Sequence, residues 1–253
     1  MSSNKPLTLL LGLFGVCWTI FSFGASPANA AACTAGCSQY QSAGVFSGSS
    51  ATITSFAVTT PGDDIHIWTC ANGPTAIPSL TFGATNATLG GVIPNTGAYI
   101  CAFGVVPNVS GTQNVVANYT GTCANCTVIA QEWPHQATSS PIDVANGTYT
   151  NAGGASTNLP CGSITVSAGN DLVVTMNLDA NGAGASTLPS GYSSSMPATG
   201  GMATAYKTAV GNGAINPTYV SAGGGNFVTM CSALKPFSAV AGAPLRSLLG
   251  VGQ

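Results

Sequence analysis

Charge is what this chain has least of. Four Lys or Arg and six Asp or Glu are spread over 253 residues. A nucleic-acid-binding surface needs a basic field, and a face that docks on anionic lipid needs one too. Four cations build neither, so both classes are excluded. Histidine is equally scarce, with only His66 and His135. Helical periodicity is missing as well. After residue 30, no stretch repeats apolar positions at helical spacing over three turns, and 33 glycines depress helix throughout. Beyond the leader, no apolar run approaches the roughly 18 residues of a membrane helix. Disorder is excluded from the other side, because Val, Ile, Leu and aromatic residues are too frequent. A folded chain of this kind keeps its surface wet with Ser, Thr, Asn and Gly.

The amino terminus reads as a processing segment. Lys5 supplies the positive charge, Leu7 to Phe23 the apolar run, and Ala28-Asn29-Ala30 a small-x-small cleavage site. Residues 1–30 are therefore a signal peptide cut after Ala30. Cys17 lies inside the apolar run, away from any lipoprotein position. The expected location is secreted, extracellular or at the cell surface, with no transmembrane segment after cleavage.

Eight cysteines follow the leader: Cys33, Cys37, Cys70, Cys101, Cys123, Cys126, Cys161 and Cys231. An even number in an exported chain reads as a disulfide framework, but spacing alone does not choose the pairing. Cys33–Cys37 and Cys123–Cys126 are local candidates. Cys70–Cys101 and Cys161–Cys231 would be staples between strands. A zinc site is the weaker reading, since no Cys-His cluster completes one.

Gly169–Gly182, GNDLVVTMNLDANG, echoes Gly62–Gly73, GDDIHIWTCANG. Each is a turn, an acidic residue, a strand and an Asn-Gly turn. In the later copy Leu172, Val174, Met176 and Leu178 share one face, and Val173, Thr175 and Asn177 the other. In the earlier copy Ile65 and Ile67 oppose His66, Trp68 and Cys70. A phrase written twice implies a core built from two related sets of strands. Short strands separated by Gly, Asn and Pro turns fill the rest. The expected fold is all-β: a disulfide-linked, jelly-roll-like β-sandwich over 51–236, with halves at about 51–134 and 160–236. Residues 31–50 form a Cys-containing arm, and 237–253 a carboxy-terminal tail. The stretch 135–160 is a long loop, or hides a short strand near Gly147–Tyr149.

Several phrases resemble a jelly-roll-like β-sandwich domain of bacterial secreted and surface proteins. They include Thr60-Pro61-Gly62-Asp63 before Ile65–Cys70, Ala98-Tyr99 with Gly111-Thr112-Gln113-Asn114-Val115, and Ala130-Gln131-Glu132-Trp133 followed by Ser140-Pro141-Ile142-Asp143. Ala168-Gly169-Asn170-Asp171-Leu172-Val173-Val174 and Ala205-Tyr206-Lys207 also fit. The resemblance covers roughly Ser50 to Pro236. It implies a cell-surface or carbohydrate-related setting and transfers no catalytic residue.

Candidate chemistry is sparse. Glu132 and His135, with Asp143 downstream, form one cluster, and His66 with Asp63 and Asp64 another. Structural roles are the simpler reading of both. Glycoside hydrolysis would need two converging carboxylates, for which Glu132 with Asp143 or Asp64 are the available pairs. Pro189-Ser190-Gly191-Tyr192-Ser193 only approximates a nucleophile elbow. No cofactor is implied. A structural calcium at Asp179 and Asn181 is a weak candidate, explained equally by an Asn-Gly turn. Trp68, Trp133, Tyr149 and Tyr192 are candidate ligand-binding aromatics. Sequons stand at Asn86, Asn108, Asn118, Asn125 and Asn146.

The function expected is a noncatalytic structural or adhesion protein of the cell surface. A carbohydrate-binding module is the alternative, and a glycoside-acting hydrolase a weaker one. The partners are further copies of the chain or cell-surface polysaccharide. Binding predicts Trp68 or Trp133 exposed in a groove. Assembly predicts an unpaired edge strand or a mobile arm.

Overall fold

A computed structural model of the chain describes residues 31–45, 48–93, 99–134, 136–137, 139–152, 157–167, 169–180, 186–198 and 201–236. The leader, His135, Asn181 and the 237–253 tail lie outside these residues. All paired strands run antiparallel.

Two central sheets lie face to face. The first runs Ala31–Ala32, Gln39–Val45, Asn125–Trp133, Asp64–Asn72, Tyr99–Val106, Thr88–Ile93 across its width. The second runs Ile142–Ala152, Gly225–Leu234, Asp171–Asp179, Met202–Val210, Ser193–Ser194. These orders correspond. Once the two-residue edge strand Ala31–Ala32 is set aside, the first strand of each half lies beside the last, the echo strand comes third, and two later strands complete the row. The echoing segments are thus the middle strands of the two sheets. Asp171–Asp179 is buried along its whole length, and Asp64–Asn72 everywhere except Asn72.

The double burial has a simple cause: each central sheet is covered on both faces. On the far side of the first lies a four-stranded sheet of Gly48–Ala57, Thr112–Cys123, Ala76–Phe82 and Thr85–Asn86. Ile65 and Ile67 face it, with Phe56, Leu80 and Val115 as partners in one cluster. Two short ribbons cover the far side of the second, Asn158–Pro160 with Thr218–Val220 and Ile164–Val166 with Gly213–Ile215. Val173 faces the latter ribbon's Ile164 and Val166. Between the central sheets lies the third cluster. Trp68, Phe103 and Trp133 of the first half meet Leu172, Val174, Met176, Met202 and Met230 of the second. The chain does not fold as a single two-sheet sandwich. It stacks two covered sheets, so alternation in each echo strand separates two cores rather than core from solvent.

The long polar stretch after His135 does hide a strand around Gly147–Tyr149, and it is much longer than expected. Ile142–Ala152 is an eleven-residue strand. Its small residues answer a close neighbour, since a Cβ on Gly147 would collide with Ile93. The amino-terminal arm likewise contains a sheet strand. Gln39–Val45 pairs with Asn125–Trp133 from Glu132↔Gln39 to Cys126↔Val45. Periodicity could not reveal the Gln39–Val45 strand or the full length of Ile142–Ala152, because neither has a clean apolar face.

Four disulfides join Cys33–Cys37, Cys70–Cys101, Cys123–Cys126 and Cys161–Cys231. Cys70 and Cys101 stand opposite each other in the ladder of the first central sheet. Cys161–Cys231 fastens the cover of the second sheet to its last long strand. Among the described residues, no helix is long and apolar enough to cross a membrane.

Candidate functional site

The chemical-looking residues are mostly spent on holding the fold. Glu132 is fully buried. Its carboxylate accepts hydrogen bonds from the backbone of Thr59 and Thr60 at 2.8 Å, the Thr59 hydroxyl at 2.8 Å and the Gln39 amide. It thereby fixes the turn before Pro61. Asp64 accepts from the Asn108 and Gln136 backbone at 2.9 and 2.8 Å. Glu132 stands opposite Ile65 in the ladder, one residue from Asp64, so the two carboxylates leave opposite faces of the sheet. Asp143 belongs to the second half, where it accepts from the Ser167 backbone at 2.7 Å. The proposed carboxylate pairs do not converge.

His66 is also fully buried, and neither ring nitrogen has a hydrogen bond. It stacks on Trp133 at 5.3 Å and meets Phe103 edge-on at 5.7 Å. Burial alone pushes its pKa down to about 3, so the ring is neutral.

The aromatics sort differently from a simple exposed row. Trp68 is entirely buried against Phe103, with centroids 4.1 Å apart. Its indole donates to Gln131 at 3.2 Å, and the Gln131 amide reaches Ser195 and Thr204 of the second half at 3.0 and 3.2 Å. Tyr149 is half-buried and donates to Asn226 at 2.6 Å. Tyr192 is half-buried, its hydroxyl pKa raised by burial to about 12, and Lys207 lies 5.8 Å from its ring. Asp179 is buried at the end of its strand. Among the described residues, no three His, Cys, Asp or Glu side chains are grouped to hold a metal.

Trp133 is only 2% exposed, yet it lines a cleft. The cleft opens at one end of the seam between the halves and has a volume of about 380 Å³. Trp133, Pro134 and Gln136 come from the end of the first half. Asn170, Leu172 and Thr208 come from two strand starts and ends of the second. Tyr206 braces Trp133 from the side at 5.3 Å. Gly36, at φ 82°, passes so close that a Cβ would lie 2.6 Å from the Tyr206 ring and 2.9 Å from the Trp133 ring. The wall is therefore packed before any ligand arrives. A second hollow of similar volume, around Ser55, Gln113 and Asn114, lies on the outer four-stranded sheet and has no aromatic lining.

Sequence reading identified Trp133 but missed Gln136, Asn170 and Thr208. They come from three separated segments, and only the stacking of the halves brings them together. No protein-family model matches the chain, and no curated protein is significantly similar to it.

Proposed function

We propose that the chain is an exported, noncatalytic structural or adhesive protein of the cell surface whose copies associate through the Thr88–Ile93 edge. The observation that carries this reading is the placement of Leu89 at 39% and Val92 at 42%, the two exposed large hydrophobic residues among the described residues. Both lie in one edge strand, which contains no charged residue. Among the described residues, no strand pairs with its outer side. Edge strands in monomers are usually blunted by Lys or covered, and this edge lacks a lysine.

Gly90 is bulged, with Leu89 opposite Gly104 and Val92 opposite Ala102. The bulge brings Leu89 and Val92 to the same face. It also twists the strand, so the contact is a short apolar patch rather than a long ladder. A second copy related by a two-fold axis would set Leu89 against Val92 twice. Apart from Ala31–Ala32, the repeated strand order, first beside last with the echo strand third, supports a core built from two related sets of strands. The alternative reading, carbohydrate binding, rests on the Trp133 cleft.

The test is light scattering on Ala31–Gln253, expressed in an oxidising host, over a concentration series. The expected result is a mass that grows with concentration and stays monomeric in Leu89→Lys/Val92→Lys. A parent chain that remains monomeric up to millimolar concentration would sink the reading.

A further inference from the structure

We propose that the cleft at Trp133 binds one neutral saccharide unit, held by amide and hydroxyl groups over an apolar floor. This goes beyond the edge-strand reading and does not depend on it.

The lining sets the ligand chemistry. Gln136, Asn170 and Thr208 supply the polar side chains, while Leu172, Pro134 and Pro236 supply apolar surface. Among the described residues, no side chain lining the cleft is charged. A carboxylate or phosphate would find no cation among them. Side-chain amides and a hydroxyl both donate and accept, as each sugar hydroxyl does. A volume of about 380 Å³ falls within the range of small-molecule sites.

The backbone around the cleft is unusual. Among the described residues, five non-glycines have positive φ, and two of them, Asn170 at 67° and Ala209 at 54°, line this one cleft. Asparagine tolerates that conformation, but for alanine it is strained, because its Cβ crowds the carbonyl oxygen. Ala209 sits where the ladder slips from Asp171↔Val210 to Val173↔Lys207. A bulge there re-aims the neighbouring side chains, Thr208 among them. Strained backbone concentrated at one hollow is a mark of a binding site.

The third observation is the Trp133 indole. Its Nε1 is buried with no hydrogen-bond partner among the described residues, whereas the Trp68 indole is satisfied by Gln131. An unspent buried donor is rare in a native core. His66 and Tyr206 hold the ring from two sides, so little ordering cost remains for a ligand to meet.

Indole resonances of ¹⁵N-labelled Ala31–Gln253 provide the test, because that fragment has only two tryptophans. A Trp68→Phe variant assigns them. The probes are glucose, galactose, mannose, N-acetylglucosamine and, as a charged control, glucuronate. At least one neutral sugar is expected to shift the Trp133 signal saturably while Trp68 stays still. Binding should weaken about tenfold in Asn170→Gly/Thr208→Val. Glycine keeps the positive φ and valine keeps the shape, and both indole signals confirm that the variant is folded. Silence from every neutral sugar at high millimolar concentration would overturn the proposal. So would equal binding by the double variant, or a preference for glucuronate.

Discussion

Asp64 and Asp171 hold the same position in the two halves, but only Asp64 is hydrogen-bonded. Each opens its echo strand, after Gly62-Asp63 in one case and Gly169-Asn170 in the other. Asp64 receives two backbone N–H groups. Both oxygens of Asp171 are buried without a partner. Burial, and then the Asp143 carboxylate, raise the Asp171 pKa to about 6 against the opposing pull of Lys235.

The folded state therefore keeps a proton on Asp171 that the unfolded chain has already lost between pH 4 and 6. The resulting penalty is absent below about pH 4 and complete above about pH 6. Asp171→Asn should stabilise the protein by ~1–3 kcal/mol at pH 7.5 and by almost nothing at pH 3. Urea denaturation at the two pH values measures this. An equal effect at both would show that the carboxylate is not ionising in a buried site.

His66 acts in the opposite sense. Its folded pKa of about 3 lies below the ordinary 6.5. Its share of stability is complete above pH 6.5 and drains away as pH falls toward 3, because the unfolded chain binds the proton first. His66→Phe keeps a ring between Trp133 and Phe103 and removes that proton uptake. The acid-unfolding midpoint should move to lower pH, with a gain of up to ~4 kcal/mol near pH 3. An unchanged midpoint would count against a neutral, buried imidazole.

The echo made the centre of this fold legible. The Asp171–Asp179 strand lies within the Gly169–Gly182 phrase, and the two faces that its alternation defines do point to different clusters. What alternation could not convey was that both faces are buried. An apolar–polar pattern usually marks one wet side, but Thr175 and Asn177 are buried and bonded to Met230 and Thr229. The number of layers was therefore hidden. The cleft was hidden for a related reason. Asn170 looks like an ordinary turn residue until the other half places Trp133 near it.

The disulfides should rank by the length of chain they close. Cys161–Cys231 spans 70 residues, whereas Cys33–Cys37 spans 4. Loop entropy predicts a loss of ~4 kcal/mol on replacing the first pair by alanine and ~2 kcal/mol for the second. Thermal unfolding of the two double variants checks the order. A larger loss at Cys33–Cys37 would mean that anchoring the Gln39–Val45 strand matters more than restricting the unfolded chain.

Every methionine after Met1 lies in the seam: Met176, Met196, Met202 and Met230, each no more than 2% exposed. Thioethers are readily oxidised, and a sulfoxide is too polar for such packing. Their burial shields these sulfurs from peroxide while the halves stay packed, and parting of the halves would expose them. The seam thus carries a redox record of its own opening. Each parting in an oxidising medium converts soft apolar contacts into polar ones, and the faces no longer fit when they meet again.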